Sequence, residues 1–407
     1  MPRRLLHWIL GMALLLQVTA VIADPKDEAR HSLEIQGYPI TVKSFFHAIA
    51  ANQTDIVELY LKAGVNVHVK DPDVRRDGWM GIHLASHIGS LQTVRLLLMH
   101  GADINSQAPG RWDGAPPLHL ALQRGHRELA IFLIYKGADV NVRGRTSGLT
   151  MLHTAAFIGP LELVTLLIEK GARINARTAL GVTPLESALR GRQSEIAEYL
   201  IQKGADLEFG RRDSPLLLAA RFGHERVVKI LIDRDADIST RDYASSWTPL
   251  HWAARNGHYQ IASFLISQGA NVNAEDKDGG TPILAAAYWG RNEIIRLLIT
   301  AGADVNKRER RGNSALLNAA MTERWDTVRI LISHGADVNV HGVRRLTPLM
   351  LASKRGDLEL VKLLVHHGAD LNAGDADGKT ALDYAEERRR KEIADFLLAR
   401  GAKRSGT

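Results

Sequence analysis

The most abundant side chain able to do chemistry in this sequence is histidine, present seventeen times, and imidazole serves near neutral pH as a metal ligand or as a general acid or base. His83 and His87 stand four apart, which would bring two ligands onto one helix face as in a His-Glu-x-x-His zinc site. Neither a third ligand nor a base glutamate accompanies them. His366 and His367 close an apolar stretch, where a partly protonated ring suits the negative end of a helix. His83, His119, His153 and His251 each hold the fourth place of one recurring phrase, so one shared structural role accounts for them better than four separate sites. No Gly-x-x-x-x-Gly-Lys-Ser/Thr loop, Gly-x-Ser-x-Gly elbow or dinucleotide-binding glycine fingerprint is present. The absence of cysteine removes disulfides, thiolate nucleophiles and Cys-ligated metals. With no nucleophile, base, metal or cofactor to name, a non-enzymatic role is expected.

What positions the histidines is an internal repeat. Its fullest copy reads Thr248-Pro249-Leu250-His251-Trp252-Ala253, then Gly257-His258, then an apolar stretch to Gly269-Ala270. The phrase begins at Lys43, Met80, Pro116, Thr150, Thr183, Ser214, Thr248, Thr281, Ser314, Thr347 and Thr380. Twenty-one residues beyond each start stands a glycine in ten of the eleven copies, Asp235 being the exception. From that glycine to the next phrase the length varies between 10 and 16 residues, so the constant stretch reads as packed structure and the variable one as surface loop.

In every copy the residues 14, 17 and 18 beyond the start are Val, Ile, Leu, Tyr or Ala, such as Val94, Leu97 and Leu98. That is the stripe of a helix with one buried face. A shorter helix precedes it, opened by Thr or Ser as N-cap with Pro in the first turn. Gly89, Gly125, Gly159, Gly223, Gly257, Gly290 and Gly356 fall between the helices. The glycine after the second helix suits a left-handed cap, which Asp235 must adopt with a Cβ.

These phrases resemble the ankyrin repeat: Thr-Pro-Leu-His, Gly-His between helices, and Gly-Ala-Asp-Val-Asn at Gly137 to Asn141, Gly302 to Asn306 and Gly335 to Asn339. The resemblance covers residues 43 to 404 and implies an all-α solenoid of stacked antiparallel helix pairs with projecting β-hairpin fingers and a concave groove. It also implies that the phrase histidines make structural hydrogen bonds at the turn, and that the chain binds a macromolecule. Departures are Lys43-Ser44-Phe45-Phe46 in the first phrase, and Asn52, Arg192, Glu323 and Arg389 at inter-helix glycine positions. The first copy reads as a cap, and the charged run Glu386 to Lys391 as the polar outer face a terminal repeat needs. A catalytic or toxin-like protein would need an effector domain for which so complete an array leaves no room.

Ahead of the array, Arg3-Arg4 precede an uncharged run from Leu5 to Ala23 that ends Val21-Ile22-Ala23. This is the layout of a cleaved export signal, with an uncleaved membrane anchor over residues 5–23 as the alternative. The expected organisation is a leader at 1–23, a linker at 24–42, the array at 43–404 and a tail at 405–407, in a periplasmic or secreted monomer. Removing Arg3 and Arg4 with the leader takes the formal charge from +7 to +5, too diffuse an excess for a dedicated nucleic-acid binder.

Positions not needed for packing are free for a partner: the finger tips and the two residues before each inter-helix glycine. The latter include Phe157, Arg221, Phe222, Arg255, Tyr288, Trp289, Met321 and the pair Lys354-Arg355, and aromatic residues and arginine dominate binding hot spots. Trp79, Leu149, Val182, Trp247 and Leu346 stand just before a phrase, as further contact candidates or as packing between fingers. Phe157, Arg221, Phe222, Trp247, Trp252, Arg255, Tyr288 and Trp289 are therefore the expected partner-binding residues, centred on 221–289, for a protein ligand. Basic fingers (Arg75-Arg76, Arg143, Arg145, Arg211-Arg212, Lys307-Arg308, Arg310-Arg311, Arg344-Arg345) carry the alternative of an anionic nucleic acid or polysaccharide.

Overall fold

The computed structural model describes residues 24–73, 78–207 and 213–406; the leader at 1–23 and the pairs Arg75-Arg76 and Arg211-Arg212 lie outside them. The described residues form 23 α-helices and one 3-10 turn, Gly110–Trp112. The fold is an all-α solenoid, as read from the repeat. The fingers are tight turns whose only strand-like pairings among the described residues are the isolated antiparallel bridges Lys70–Met80 and Arg308–Ser314. No described helix is long and apolar enough to cross a membrane.

The chain divides into two compact units, residues 1–187 and 188–407, with the division inside the Pro184–Arg190 helix. Unit 1 holds four complete helix pairs, from Val42–Ala50 with Thr54–Lys62 to Met151–Ile158 with Leu161–Glu169. Unit 2 holds six, from Pro215–Phe222 with Glu225–Ile232 to Ala381–Glu387 with Lys391–Leu398. Within each unit first helices pack on first helices and second on second.

Ten of the eleven phrase starts are N-caps. Ser214, Ser314, Thr347 and Thr380 accept the amide three residues on. In the first copy Lys43 has no acceptor to offer, and the helix begins earlier, on Thr41, whose hydroxyl accepts from the Ser44 amide. The stretch 24–42, expected as a linker, carries a helix: Pro25–Ile35, capped by Asp24, buries Ala29 and Leu33 against Thr54–Lys62. With only two apolar residues facing inward, its periodicity was too short to register.

The residues 14 and 17 beyond each start are buried in all eleven copies, from Val57 and Tyr60 to Ala394 and Leu397. Those 18 beyond are not uniformly covered: Leu98, Ile168 and Val365 are half-buried, and Leu398, in the last copy, is 42% exposed. The residue 13 beyond the start is buried throughout, and where it is polar it is satisfied across the repeat boundary. Thr93 meets the Thr54 hydroxyl at 2.7 Å, and Thr327 donates to Asn292 at 2.6 Å.

Three kinds of polar group tie repeats to their neighbours, each in some of the copies. The first is the phrase histidine. The Thr248 amide donates to His251 Nδ1 at 3.2 Å, which leaves Nε2–H to donate to the Gly280 carbonyl of the following finger at 3.3 Å. His153 bridges Thr150 and the Val182 carbonyl in the same way, and His83 bridges Met80 and the Ser106 carbonyl. Pro116 has no amide to give, and His119 Nε2 meets the Thr154 hydroxyl at 2.9 Å instead.

The second is the asparagine of Gly-Ala-Asp-Val-Asn. Asn306 accepts from the Asp337 amide at 2.8 Å and donates to the Gly335 carbonyl at 3.1 Å, and Asn141, Asn273 and Asn339 repeat the pattern. The third follows the inter-helix glycine. His126, His224 and His258 bond the carbonyl of His87, Leu189 and Arg221, and Arg291 does the same to Arg255.

The turn between helices needs a left-handed residue, and Asn52, Arg192, Glu323 and Arg389 adopt it with φ between 56 and 58°, as does Asp235 at the later cap with φ 60°. Gly159 is the exception, at φ −83° and ψ 167°, because Pro160 forces the residue before it into extended backbone. Gly223 is doubly constrained: φ is 90°, and a Cβ there would lie 2.8 Å from the His258 ring.

Two outcomes follow. Arg389→Gly removes a left-handed Cβ from an exposed turn and is expected to raise stability by up to about 1 kcal/mol, whereas Gly223→Ala loses about 1 kcal/mol or more. Urea denaturation of the two variants checks both signs.

Burial holds His119 and His251 down to about 4, against about 6.5 unfolded. The folded state thus favours neutral rings, and stability present above pH 6.5 is lost as the pH falls from 6.5 towards 4. His251→Gln should be less stable than the parent at pH 7 and should lose less between pH 6.5 and 4, as read from melting temperatures.

Candidate functional site

In unit 2 the helix ends bring most of the expected binding residues into one cluster. Each phrase helix is short enough that the residues seven and eight beyond its start emerge at its C-terminal end, just before the left-handed turn. At those places stand Arg221 and Phe222, Arg255 and Asn256, Tyr288 and Trp289, Met321 and Thr322, then Lys354 and Arg355.

Trp247 and Trp252 meet nearly edge to face, 4.8 Å between centroids, and Trp247 stacks on His251 at 5.7 Å. Both indoles are anchored by finger carboxylates: Trp247 Nε1 donates to Asp276 at 2.9 Å and Trp252 Nε1 to Asp242 at 3.0 Å. Asp276 is itself held by the Asp278 and Gly280 amides at 2.8 Å. The finger thus fixes the rings and the rings fix two guanidinium groups. Arg221 lies 4.2 Å above the Trp252 ring and 5.4 Å from that of Phe222. Arg255 lies 5.5, 5.4 and 5.4 Å from the centroids of Trp247, Trp252 and Trp289. Such cation–π contacts contribute on the order of 0.5–1 kcal/mol each at exposed sites and more when desolvated.

A cleft of about 410 Å³ opens beside this cluster, lined by Trp247, Arg255, Tyr288, Trp289 and, on the finger side, Asp276 and Glu309. Tyr288 and Trp289 pack together at 5.7 Å yet remain 48% and 40% exposed. They are the apolar area available to a partner. Trp252, expected among the contact residues, is only 9% exposed and serves as the platform beneath the arginines. Trp247 and Phe222 are half-buried.

Phe157 is 46% exposed beside Ile158, at the end of its helix in unit 1. Trp79 is fully buried, packed 4.7 Å from Trp112 and 5.2 Å from His87, so at that finger base packing is its role. Leu149, Val182 and Leu346 are half-buried. Sequence reasoning missed the indole acceptors Asp242 and Asp276. Their signal was an aspartate in the finger before Trp247 and another in the finger after it.

The basic fingers are partly neutralised by their neighbours. Lys307 pairs with Glu275 at 2.6 Å and Arg308 with Asp337 at 2.8 Å. Among the described residues no group of three or more His, Cys, Asp or Glu could hold a metal ion.

A family profile described as ankyrin repeats (3 copies) matches residues 45–144, 143–210, 207–276 and 268–342. A second, ankyrin repeats (many copies), matches 331–385. Among curated proteins the chain is similar to Ankyrin repeat and SOCS box protein 3 of Homo sapiens, 34% identical over 46% of this chain and 36% of the relative. A putative ankyrin repeat-containing protein of Treponema pallidum is 35% identical over 29% of this chain and 38% of its own length. The NF-kappa-B inhibitor cactus of Drosophila melanogaster is 36% identical over 19% of this chain and 15% of its own. The matched region spans little more than a third of the first two relatives. With the repeat, the helix pairs and the profile matches all coinciding, this chain belongs to the ankyrin repeat proteins.

Proposed function

We propose that the chain is a protein-binding scaffold, not a catalyst, and that its partner is held on the helix-end face of unit 2 around Arg255, Tyr288 and Trp289. The observation that carries this reading is the coexistence of exposed aromatic area with guanidinium groups fixed on ring faces. Such a surface loses little conformational entropy on binding, because the rings and fork-shaped donors are already placed. An inhibitor named for its target, NF-kappa-B, among the similar proteins supports a binding role. The composition of residues 3–23 supports export of the working protein. The alternative that the fingers bind an anionic polymer is weakened by the ion pairs of Lys307 and Arg308 with acids of neighbouring fingers.

The test is affinity capture with the full chain expressed with its leader, followed by mass spectrometry of bait and captured proteins. Arg255→Ala with Trp289→Ala is the control, since neither side chain holds the finger in place. A partner retained at moderate salt and reduced at least tenfold by the double variant is expected, on a bait that starts at Asp24. A partner indifferent to both substitutions would contradict the assignment of the face, and a bait starting at Met1 would contradict cleavage.

A further inference from the structure

The face just assigned is not uniform along unit 2, and its charge pattern identifies the kind of segment it would take. Repeat by repeat, the places seven and eight beyond the phrase start run from cationic, through apolar, back to cationic. At one end are Arg221 and Arg255; in the middle are Tyr288, Trp289 and Met321, the last 52% exposed. At the other end are Lys354, Arg355 and Arg388, which line with Met321 a second cleft of about 350 Å³.

What sets Arg221 and Arg255 apart from other surface cations is their support on aromatic rings. Arg355 pairs with Glu323 at 3.0 Å, and Glu387, the acid next to Arg388, is taken by Lys379. Arg221, Arg255, Lys354 and Arg388 have no carboxylate within ion-pair distance among the described residues. Arg221 and Arg255 are also half-buried. A guanidinium stacked on ring faces can still offer the N–H edge of its planar fork to a carboxylate, which it takes through two hydrogen bonds.

Acids do approach this face, and they limit where a ligand carboxylate can sit. Asp276 and Glu309 line the finger side of the first cleft; Asp276 is engaged by Trp247 and Glu309 by Asn313 at 2.8 Å. A ligand's acids are therefore directed to the helix ends and away from the fingers.

We infer, resting on the protein-binding reading above, that unit 2 recognises an extended peptide segment with an apolar centre flanked on both sides by acidic residues. The apolar centre lies on Trp289 and Met321, one acidic flank on Arg221 and Arg255, and the other on Lys354 and Arg388. Packed helices are spaced about 8–10 Å apart, so the three steps from the Arg255 repeat to the Lys354 repeat span roughly 30 Å. That is about nine residues of extended chain at ~3.3 Å each.

The probe is a fluorescein-labelled ten-residue peptide, Leu-Phe-Leu-Leu with three glutamates on each side, titrated into the full chain by anisotropy. Two comparison peptides carry glutamine flanks or a serine centre. The glutamate peptide should bind about tenfold or more tightly than either at low salt, and its advantage over the glutamine peptide should shrink in high salt. Arg255→Gln with Lys354→Gln should abolish that advantage, lowering the affinity for the glutamate peptide about tenfold more than that for the glutamine peptide, with circular dichroism showing the helices retained.

Equal binding of glutamate and glutamine peptides, with both lost in Trp289→Ala, would overturn the acidic specificity and leave the protein-binding face standing. Failure of all three peptides to bind would overturn the inference. If the partner from affinity capture also ignored Trp289→Ala, the reading of the face itself would fall. A heparin fragment that displaces the peptide and binds Trp289→Ala undiminished would overturn it in favour of a polyanion surface.

Discussion

Everything in this chain depends on the wall between one repeat and the next. A single pair of helices of seven to nine residues cannot bury both its apolar stripes, and short isolated helices are marginal in water. The Val, Leu, Ile, Tyr and Ala 14 and 17 residues beyond each phrase start are therefore buried in every copy. Apolar burial gives this wall its strength but little of its register. Register comes from the polar ties, the phrase histidine to the next finger, the asparagine to the next glycine and the post-glycine histidine or arginine to the previous helix end. Each joins groups that would otherwise be buried without a partner, and leaving one unmade costs more than making it gains. Slippage is thus penalised wherever one of these ties is made.

The same register makes the binding face. Because every phrase helix ends at the same height, the side chains just before the left-handed turn fall into a row, and their identities can vary with little effect on packing. Arginine, tyrosine, tryptophan, methionine and lysine occupy equivalent places in successive repeats of unit 2. What distinguishes Arg221 and Arg255 from ordinary surface cations is the support beneath them. Asp242 and Asp276 hold two indoles, and the indoles present the guanidinium groups. A finger loop thereby acts on a helix-end surface through side chains that never meet the ligand.

Much of this was readable in the sequence, for a physical reason: a constant 21-residue interval can be kept only where every residue packs, so spacing alone located the helices, the caps and the left-handed turns. The four non-glycine residues at turn positions adopt the conformation that the spacing demanded, and backbone geometry overrode their side-chain preference. Less was readable where the pattern has one repeat or fewer to show itself. The Pro25–Ile35 helix buries two residues and has no copy to be compared with. Gly159 departs from its equivalents because of the proline that follows it. For the site, residue type indicated which positions could bind, but burial and partners were settled by fingers about thirty residues away in sequence, as Trp247 on Asp276 and Trp79 against Trp112 both show. Ion pairing between fingers was equally hidden, because Lys307 and Glu275 are brought together only by stacking.

The central claim is that the helix-end face of unit 2, and not the fingers, holds the partner. Hydrogen–deuterium exchange of the full chain, free and saturated with the captured partner, tests it most directly. The account predicts slowed exchange at the turns 255–258, 288–291 and 321–324, with the finger tips 275–279 and 308–312 unchanged. Protection confined to those finger tips would contradict it.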